Sequence, residues 1–280
     1  MAESSDSGSG GRLIVVHERD RIETFLRRRE ALQIYGLGDL EPGLRELVLW
    51  YGLERGEAGE GELVALVMVF LPLAEPCLLA ICGESERERA ALRELLLRLH
   101  PALPPRFYAH VTEGLEAALP GAAQDRTPSL KMARRGAPEP GEAHPAAVER
   151  LPPEAWPEAL ELLNRASPHH WFDPRQVVGD VYGLRESGRL VAVAGTHVFA
   201  PGVGVAALAH VATDPERRGR GLARRVVTGL CRRLVERGCF MLGLNVAAHN
   251  AAAIGLYKSL GFRVVGRYVE LRITHDGGHG

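Results

Sequence analysis

Residues 209–225 read AHVATDPERRGRGLARR. An apolar strand runs into a proline, a glycine-rich turn follows, and the turn opens directly onto a helix. Arg218, Gly221 and Ala223 stand in it as R-x-x-G-x-A. The first backbone N–H groups of a helix lack intrahelical acceptors, and the helix dipole places partial positive charge there, so an anion is stabilised. Glycine has no Cβ and lets the backbone close on that anion. Arg217, Arg218, Arg220, Arg224 and Arg225 surround the turn with planar cationic forks suited to phosphate oxygens. The stretch reads as a diphosphate cradle formed by Arg218, Gly219, Arg220, Gly221, Leu222 and Ala223, with Arg224 beside it.

Other readings of the turn fit less well. A dinucleotide-binding turn wants G-x-G-x-x-G and an acidic residue about 20 positions on. Here Arg224 occupies the third glycine position, and the next strand ends near Asn245. The G-x-x-x-x-G-K-[ST] loop is absent. A disordered RGR tract for nucleic acid would not be wedged between a hydrophobic strand and an amphipathic helix. A strand–turn–helix without a ligand stays open on these residues alone.

Downstream, a helix over residues 222–237 stops at Gly238, and the strand CFMLGLNV follows. Residues 250–262 then read NAAAIGLYKSLGF. The order of strand, R-x-x-G-x-A turn, helix, strand and N-x-x-A-x-x-L-Y-x-x-x-G-F resembles the signature of the GNAT N-acetyltransferase superfamily. The wording T-D-P-x-x-R-G-R-G-L-A and L-N-V-x-x-x-N is similar to the branch that includes the glycine N-acyltransferases. The resemblance spans about residues 146–273.

Composition bounds the rest. The chain has 280 residues and a formal net charge of −1, so no global field draws nucleic acid or an anionic membrane. The arginine cluster therefore serves a local anion. Cys77, Cys82, Cys231 and Cys239 lack metal-ligand spacing and read as buried free thiols, with no metal. No apolar run reaches the ~18 residues of a membrane helix, and the polar start AESSDSGSGG lacks a signal core. Residues 1–11 are expected to be a disordered tail, and the protein cytoplasmic with reduced cysteines.

Residues 134–145, RRGAPEPGEAHP, read as a linker. Before it, over residues 12–133, the pattern gives strand, helix, three strands, helix, strand. The strands fall at 13–16, 47–53, 63–70, 77–82 and 107–111, the helices at 19–32 and 84–99. After it, over residues 146–275, come a helix at 152–166, strands at 181–186, 190–199 and 205–212, the turn, two helices with a strand between, and a closing strand at 263–273. The expected fold is α/β: tandem GNAT-like lobes with a central mixed, mostly antiparallel sheet flanked by helices. The first lobe would be a degenerate copy. Its strand–helix junction CLLAICGESERER has no R-x-x-G-x-A, so it should bind no coenzyme diphosphate.

The resemblance implies acetyl-CoA as co-substrate and an amine as acceptor. It implies a gap beside the central strand for the pantetheine, paired by main-chain groups of Val211, Ala212 and Thr213. The Val211 N–H would face the thioester carbonyl, where negative charge develops. Asn245 and Asn250 would line the coenzyme arm, and Tyr257 would give a proton to the departing thiolate. Many relatives place a glutamate base on the strand before the turn; the aligned position here is Ala207. His210 is the nearest titratable side chain, with His197 on the adjacent strand. His169, His170, Trp171 and Phe172 fall in the loop on the acceptor side. Two functions fit: an N-acetyltransferase for a small amine, amino acid or peptide N-terminus, or an acyl-CoA-binding sensor without efficient transfer. Neither requires nucleic acid or membrane, and a homodimer is compatible with both.

Overall fold

The computed structural model describes residues 11–56, 61–73, 75–139, 148–166 and 180–275. The chain begins with β1 (Arg12–Val15), α1 (Arg19–Arg27) and α2 (Ile34–Gly38). Then come β2 (Val48–Arg55), β3 (Glu62–Phe70), β4 (Cys77–Ala80), α3 (Glu86–Leu99) and β5 (Arg106–Thr112). These are followed by β6 (Ala122–Arg135), β7 (Val148–Leu151), α4 (Trp156–Ala166), β8 (Val181–Glu186), β9 (Arg189–Ala200) and β10 (Val205–Thr213). Last are α5 (Leu222–Glu236), β11 (Met241–Ala247), α6 (Ala251–Ser259) and β12 (Arg263–Thr274).

Two compact units result. The first holds Met1–Arg28, Glu46–Thr127 and Tyr268–Gly280; the second holds Arg29–Arg45 and Pro128–Arg267. In the first, β1 through β4 pair antiparallel in order, β4 and β5 pair parallel, and β5 is closed antiparallel by Tyr268–Thr274 of β12. One face of α3 presents Ala91, Leu92, Leu95, Leu96 and Leu99 at helical spacing, and these bury against Leu78, Ala109, Val111 and Leu271. Full burial of each leucine is worth about 1.5–3 kcal/mol. Glu54, buried in this unit, is paired by Arg12 and Arg21.

The second unit repeats that succession of strand senses. Strands β7 through β10 pair antiparallel, β10 and β11 pair parallel, and β11 is closed antiparallel by Ser129–Arg135 of β6. Side chains alternate across a strand, so the two faces of this sheet bury different sets. Ala192, Ala194, Ala206, Leu208, Leu242 and Leu244 pack with Val226, Val227, Leu230, Cys231 and Leu234 of α5. Val193 and Ala212, on the other face, pack with Ala159, Leu162 and Leu163 of α4. The expected mixed sheet flanked by helices is what the chain forms.

Helix α2 shares the α4 face, packing on β9, β10 and β11. Ile34 covers Gly243, where a Cβ would stand 2.5 Å from Ile34 Cδ1, and Gly38 lies directly on the Val198 side chain. Only a residue without a Cβ allows that approach. Gly38→Ala should therefore lower stability by about 1–3 kcal/mol, the usual cost of overpacking, read as a fall in urea midpoint at unchanged m-value.

Three elements were not anticipated. Residues 29–45 contain α2, β6 continues through Arg135 into the stretch read as a linker, and β7 opens the second half. Pro128 and the polar run of residues 122–127 disguise β6, because proline cannot donate to a ladder. All four cysteines are free. Burial pushes the Cys231 thiol up to about 12 and that of Cys239 up to about 11, so both stay protonated and inert.

Candidate active site

Strands β10 and β11 run together only from Val205↔Met241 to Leu208↔Leu244. Beyond that point β10 continues on β9 alone, with Ala209↔Gly195 and Ala212↔Val193. Strand β11 continues on β6 alone, with Asn245↔Lys131, Val246↔Leu130 and Ala247↔Ser129. The sheet is split between residues 209–213 and 245–247. At the head of the split, His210 and Val211 form a bulge opposite one residue of β9, and His210 has φ +54°. A left-handed non-glycine residue costs about 1–3 kcal/mol and tends to mark functional sites. A Cβ at Gly195 would stand 3.2 Å from His210 Cδ2, so the imidazole lies against that glycine.

The glycine-rich turn leaves the same strand. Asp214, buried, sets its start: the Asp214 N–H donates to Val191 O at 2.9 Å, Oδ1 accepts from the Glu216 N–H at 3.1 Å, and Oδ2 accepts from Arg189 Nη2 at 2.8 Å. Arg217 is held by Glu186 at 2.8 Å. Gly219 and Gly221 have φ +78° and +72°, a conformation glycine adopts freely, and nothing among the described residues lies within 4 Å of where either Cβ would be. Gly221 is the N-cap of α5, and no side chain among the described residues caps that helix. Arg218 reaches back to Ala166 O at 3.0 Å, and Arg224 donates to Ser259 Oγ at 2.6 Å. The result is an open, uncapped helix start ringed by arginines. It fits a diphosphate.

The corresponding junction in the first unit differs. Ser85 caps α3 by accepting from the Glu88 N–H at 3.3 Å and donates to Glu88 Oε2 at 2.5 Å. Glu86 and Glu88 fill the first turn, so the N–H groups face carboxylates already.

Asn250 caps α6, its Oδ1 accepting from the Ala253 N–H at 3.1 Å. Tyr257 is buried, its ring edge-on to Phe262 with centroids 5.9 Å apart, and burial first and Cys231 second hold its phenol well above its usual value. Ala212 and Thr213 end β10, and Thr213 Oγ1 is buried without a hydrogen-bond partner among the described residues. Ala207 is buried beneath α2 between Val198 and Gly243 of the neighbouring strands. It has neither a carboxylate nor room for one.

On that face lies a polar cluster in which sequence reading named Asn245 and His197 but missed Lys131 and Tyr35. Buried Lys131 donates to Asn245 Oδ1 at 3.4 Å, and its ammonium sits 4.4 Å from the centre of the Tyr35 ring. Tyr35 in turn lies 5.6 Å from His197. Burial, then the Lys131 charge, pulls the His197 pKa below its usual value, although the ring remains accessible to solvent. His197 is thus closely surrounded by protein and still reached by solvent. His169, His170, Trp171 and Phe172 lie outside the described residues. The one sequence signal that could have drawn attention to Lys131 is the rarity of lysine, which occurs only at Lys131 and Lys258.

Residues 145–262 match the family described as Acetyltransferase (GNAT) family. Over 113 residues the chain is 41% identical to ribosomal protein bS18-alanine N-acetyltransferase of Escherichia coli strain K12, an alignment covering 38% of this chain and 73% of that enzyme. The chain belongs to the GNAT acetyltransferase family. This GNAT protein is also 35% identical over 114 residues to mycothiol acetyltransferase of Thermobispora bispora, covering 39% of the chain and 37% of the relative. A GNAT-family crystal structure from Novosphingobium aromaticivorans superposes with TM-score 0.58 and 25% identity, over 89% of this chain and 99% of that one. A tandem GNAT protein of the clavulanic acid biosynthesis pathway shares the fold, with TM-score 0.51 and 14% identity over 96% and 99% of the two chains. GNAT acetyltransferases use acetyl-CoA as co-substrate. Among the described residues of this GNAT protein, no group of three or more His, Cys, Asp or Glu could hold a metal, and no helix is long and apolar enough to cross a membrane.

Proposed function

We propose that this chain transfers the acetyl group of acetyl-CoA to a primary amine of a small molecule, an amino acid or a peptide N-terminus. The observation that carries the reading is the split between β10 and β11 opening beside an uncapped, glycine-lined helix start. The relative named for alanine N-acetylation supports an amine as acceptor.

Acetyl-CoA supplies an acyl thioester, and the chain's residues position it. N–H groups over residues 218–223, with Arg218, Arg220 and Arg224, hold the diphosphate. The free edge of Val211, Ala212 and Thr213 pairs with the pantetheine as an added strand, and the unpartnered Thr213 hydroxyl gains a partner there. Val211 N–H stabilises the charge that develops on the thioester oxygen. Asn245 and Asn250 border the arm, Asn250 by fixing the start of α6. Tyr257, kept protonated by burial, gives its proton to the sulfur as it leaves. His210, on the bulge, orders water next to the attacking amine. The first unit, whose α3 start is closed by Ser85 and Glu88, serves as a GNAT-like lobe without coenzyme.

One observation favours the alternative, an acyl-CoA sensor: the strand position expected to hold a base is Ala207. Thiol release from acetyl-CoA with a panel of amines, amino acids and peptides separates the two. Amine-dependent release is expected; tight acetyl-CoA binding with no release above the amine-free rate would establish the sensor.

A further inference from the structure

We propose that the carboxylate of Asp39 is the base of the reaction, presented to the acceptor amine by α2, a helix that the N-terminal half of the chain contributes to the second unit. This rests on the transferase reading above. Its starting point is what α2 covers. Ile34 and Gly38 cap Gly243 and Val198, on either side of Ala207, so α2 occupies the sheet surface where a strand carboxylate would project. The opposite face of the sheet is filled by α5. The acceptor is therefore left the face bearing α2 and α4, above the His210 bulge.

Asp39 is placed for that face. Ile34 and Gly38 point to the sheet; Tyr35 and Asp39, also one turn apart, form the adjacent stripe of α2, and the Asp39 N–H donates to Tyr35 O at 3.1 Å. The Tyr35 ring meets Lys131 and His197, so this stripe turns toward the polar cluster those residues form with Asn245. Asp39 combines the same two properties as His197: it is closely surrounded by protein yet partly accessible to solvent. Its carboxylate has no hydrogen-bond or ion-pair partner among the described residues. Burial alone raises its pKa to about 7. A general base is most effective with a pKa near the working pH.

The other titratable groups facing α2 suit the task less. His197 of β9 is made a weaker base by burial and by Lys131. Lys131 of β6 engages Asn245 and Tyr35. Strand β11 carries no titratable side chain, and β10 offers His210. On the same segment, Glu41 accepts from the Gly202 N–H at 3.0 Å. In the reaction, Asp39 takes a proton from the ammonium, directly or through one water. The freed nitrogen lone pair forms the bond to the thioester carbonyl carbon, the nitrogen of the tetrahedral adduct gives its second proton to solvent as the C–S bond opens, and Tyr257 gives its phenolic proton to sulfur. The Asp39 proton later passes to solvent, which reprotonates Tyr257.

The test is Asp39→Asn in the full chain, with kcat/KM followed from about pH 5.5 to 9.5. A fall of ~10²-fold or more at pH 7.5 is expected, shrinking toward high pH where the amine is neutral unaided, and the wild-type acid limb near pH 7 should vanish. Calorimetry should give unchanged acetyl-CoA affinity. Because the folded chain retains this proton to higher pH than the unfolded chain, wild-type stability should fall between about pH 4 and pH 7, and Asp39→Asn should abolish that decline. Wild-type kcat/KM with the acid limb intact would overturn the proposal, as would a loss equal at every pH. Intact acetyl-CoA binding in either case leaves the transferase reading standing; a wild-type chain that binds no acetyl-CoA overturns both.

Discussion

Gly221→Asp is expected to abolish acetyl-CoA binding and leave the chain folded. Aspartate tolerates the left-handed conformation better than most residues, so the backbone at φ +72° survives with strain of about 1–2 kcal/mol. The new carboxylate would stand at the start of α5, where no atom of the described residues lies within 4 Å. Two like charges near 4 Å repel by about 1–4 kcal/mol at a protein surface, and the side chain also fills the approach. Each 1.4 kcal/mol is tenfold, so affinity should fall by ~10²-fold or more. Gly221→Asn separates shape from charge, since it has nearly the same size and no charge, and should bind with intermediate affinity. Calorimetry reads both, with thermal unfolding as the folding control. Unchanged affinity in folded Gly221→Asp would remove the diphosphate from this turn.

Tyr257→Phe is expected to lower turnover by ~10²–10⁴-fold, the range typical of general acid–base groups. The ring and its edge-on contact with Phe262 are retained, and the hydroxyl has no hydrogen-bond partner among the described residues, so stability should hold. Coenzyme affinity should stay within a few-fold, because the lost interaction matters mainly as charge builds on sulfur. Single-turnover kinetics, which isolate chemistry from product release, provide the measurement. A wild-type rate there would make Tyr257 a packing residue and leave the thiolate to be protonated by water or by the amine.

The parts of the site that could be read directly from the chain are those whose chemistry is local. Gly219, Gly221 and the arginines declare an anion turn within a few residues, whereas the capping of α6 by Asn250 emerged only from the structure. Tyr257 was reached only through the resemblance of N-x-x-A-x-x-L-Y-x-x-x-G-F to the GNAT signature. What escaped reading is what tertiary packing creates. The five residues of α2, IYGLG, hold two glycines and make no isolated helix; the sheet beneath them supplies the stability. Asp39 looks like any loop aspartate until burial raises its pKa. Lys131 sits in a strand masked by Pro128, and its neighbours Asn245, Tyr35 and His197 come from three separate places in the sequence. His210, by contrast, was singled out by position, but its left-handed backbone appears only once β9 and β10 fall out of register.

The placement of residues 29–45 also bears on the order of events at the ribosome. This segment is synthesised early, but the surface it covers includes Val198 and Gly243. Until those residues have emerged, Ile34, Leu37 and Leu40, all buried in the finished protein, have nothing to cover. Tyr268–Thr274, which closes the first unit on β5, arrives later still. Neither unit can finish folding before these later segments have been made, so the nascent protein carries an unfinished sheet edge and an uncovered apolar segment until they emerge. Closing loops of about 200 residues is entropically slow, and exposed edges of this kind invite pairing between chains. The same long-range docking ties the proposed base to the last steps of folding, so the enzyme would gain its activity only when the whole chain has closed.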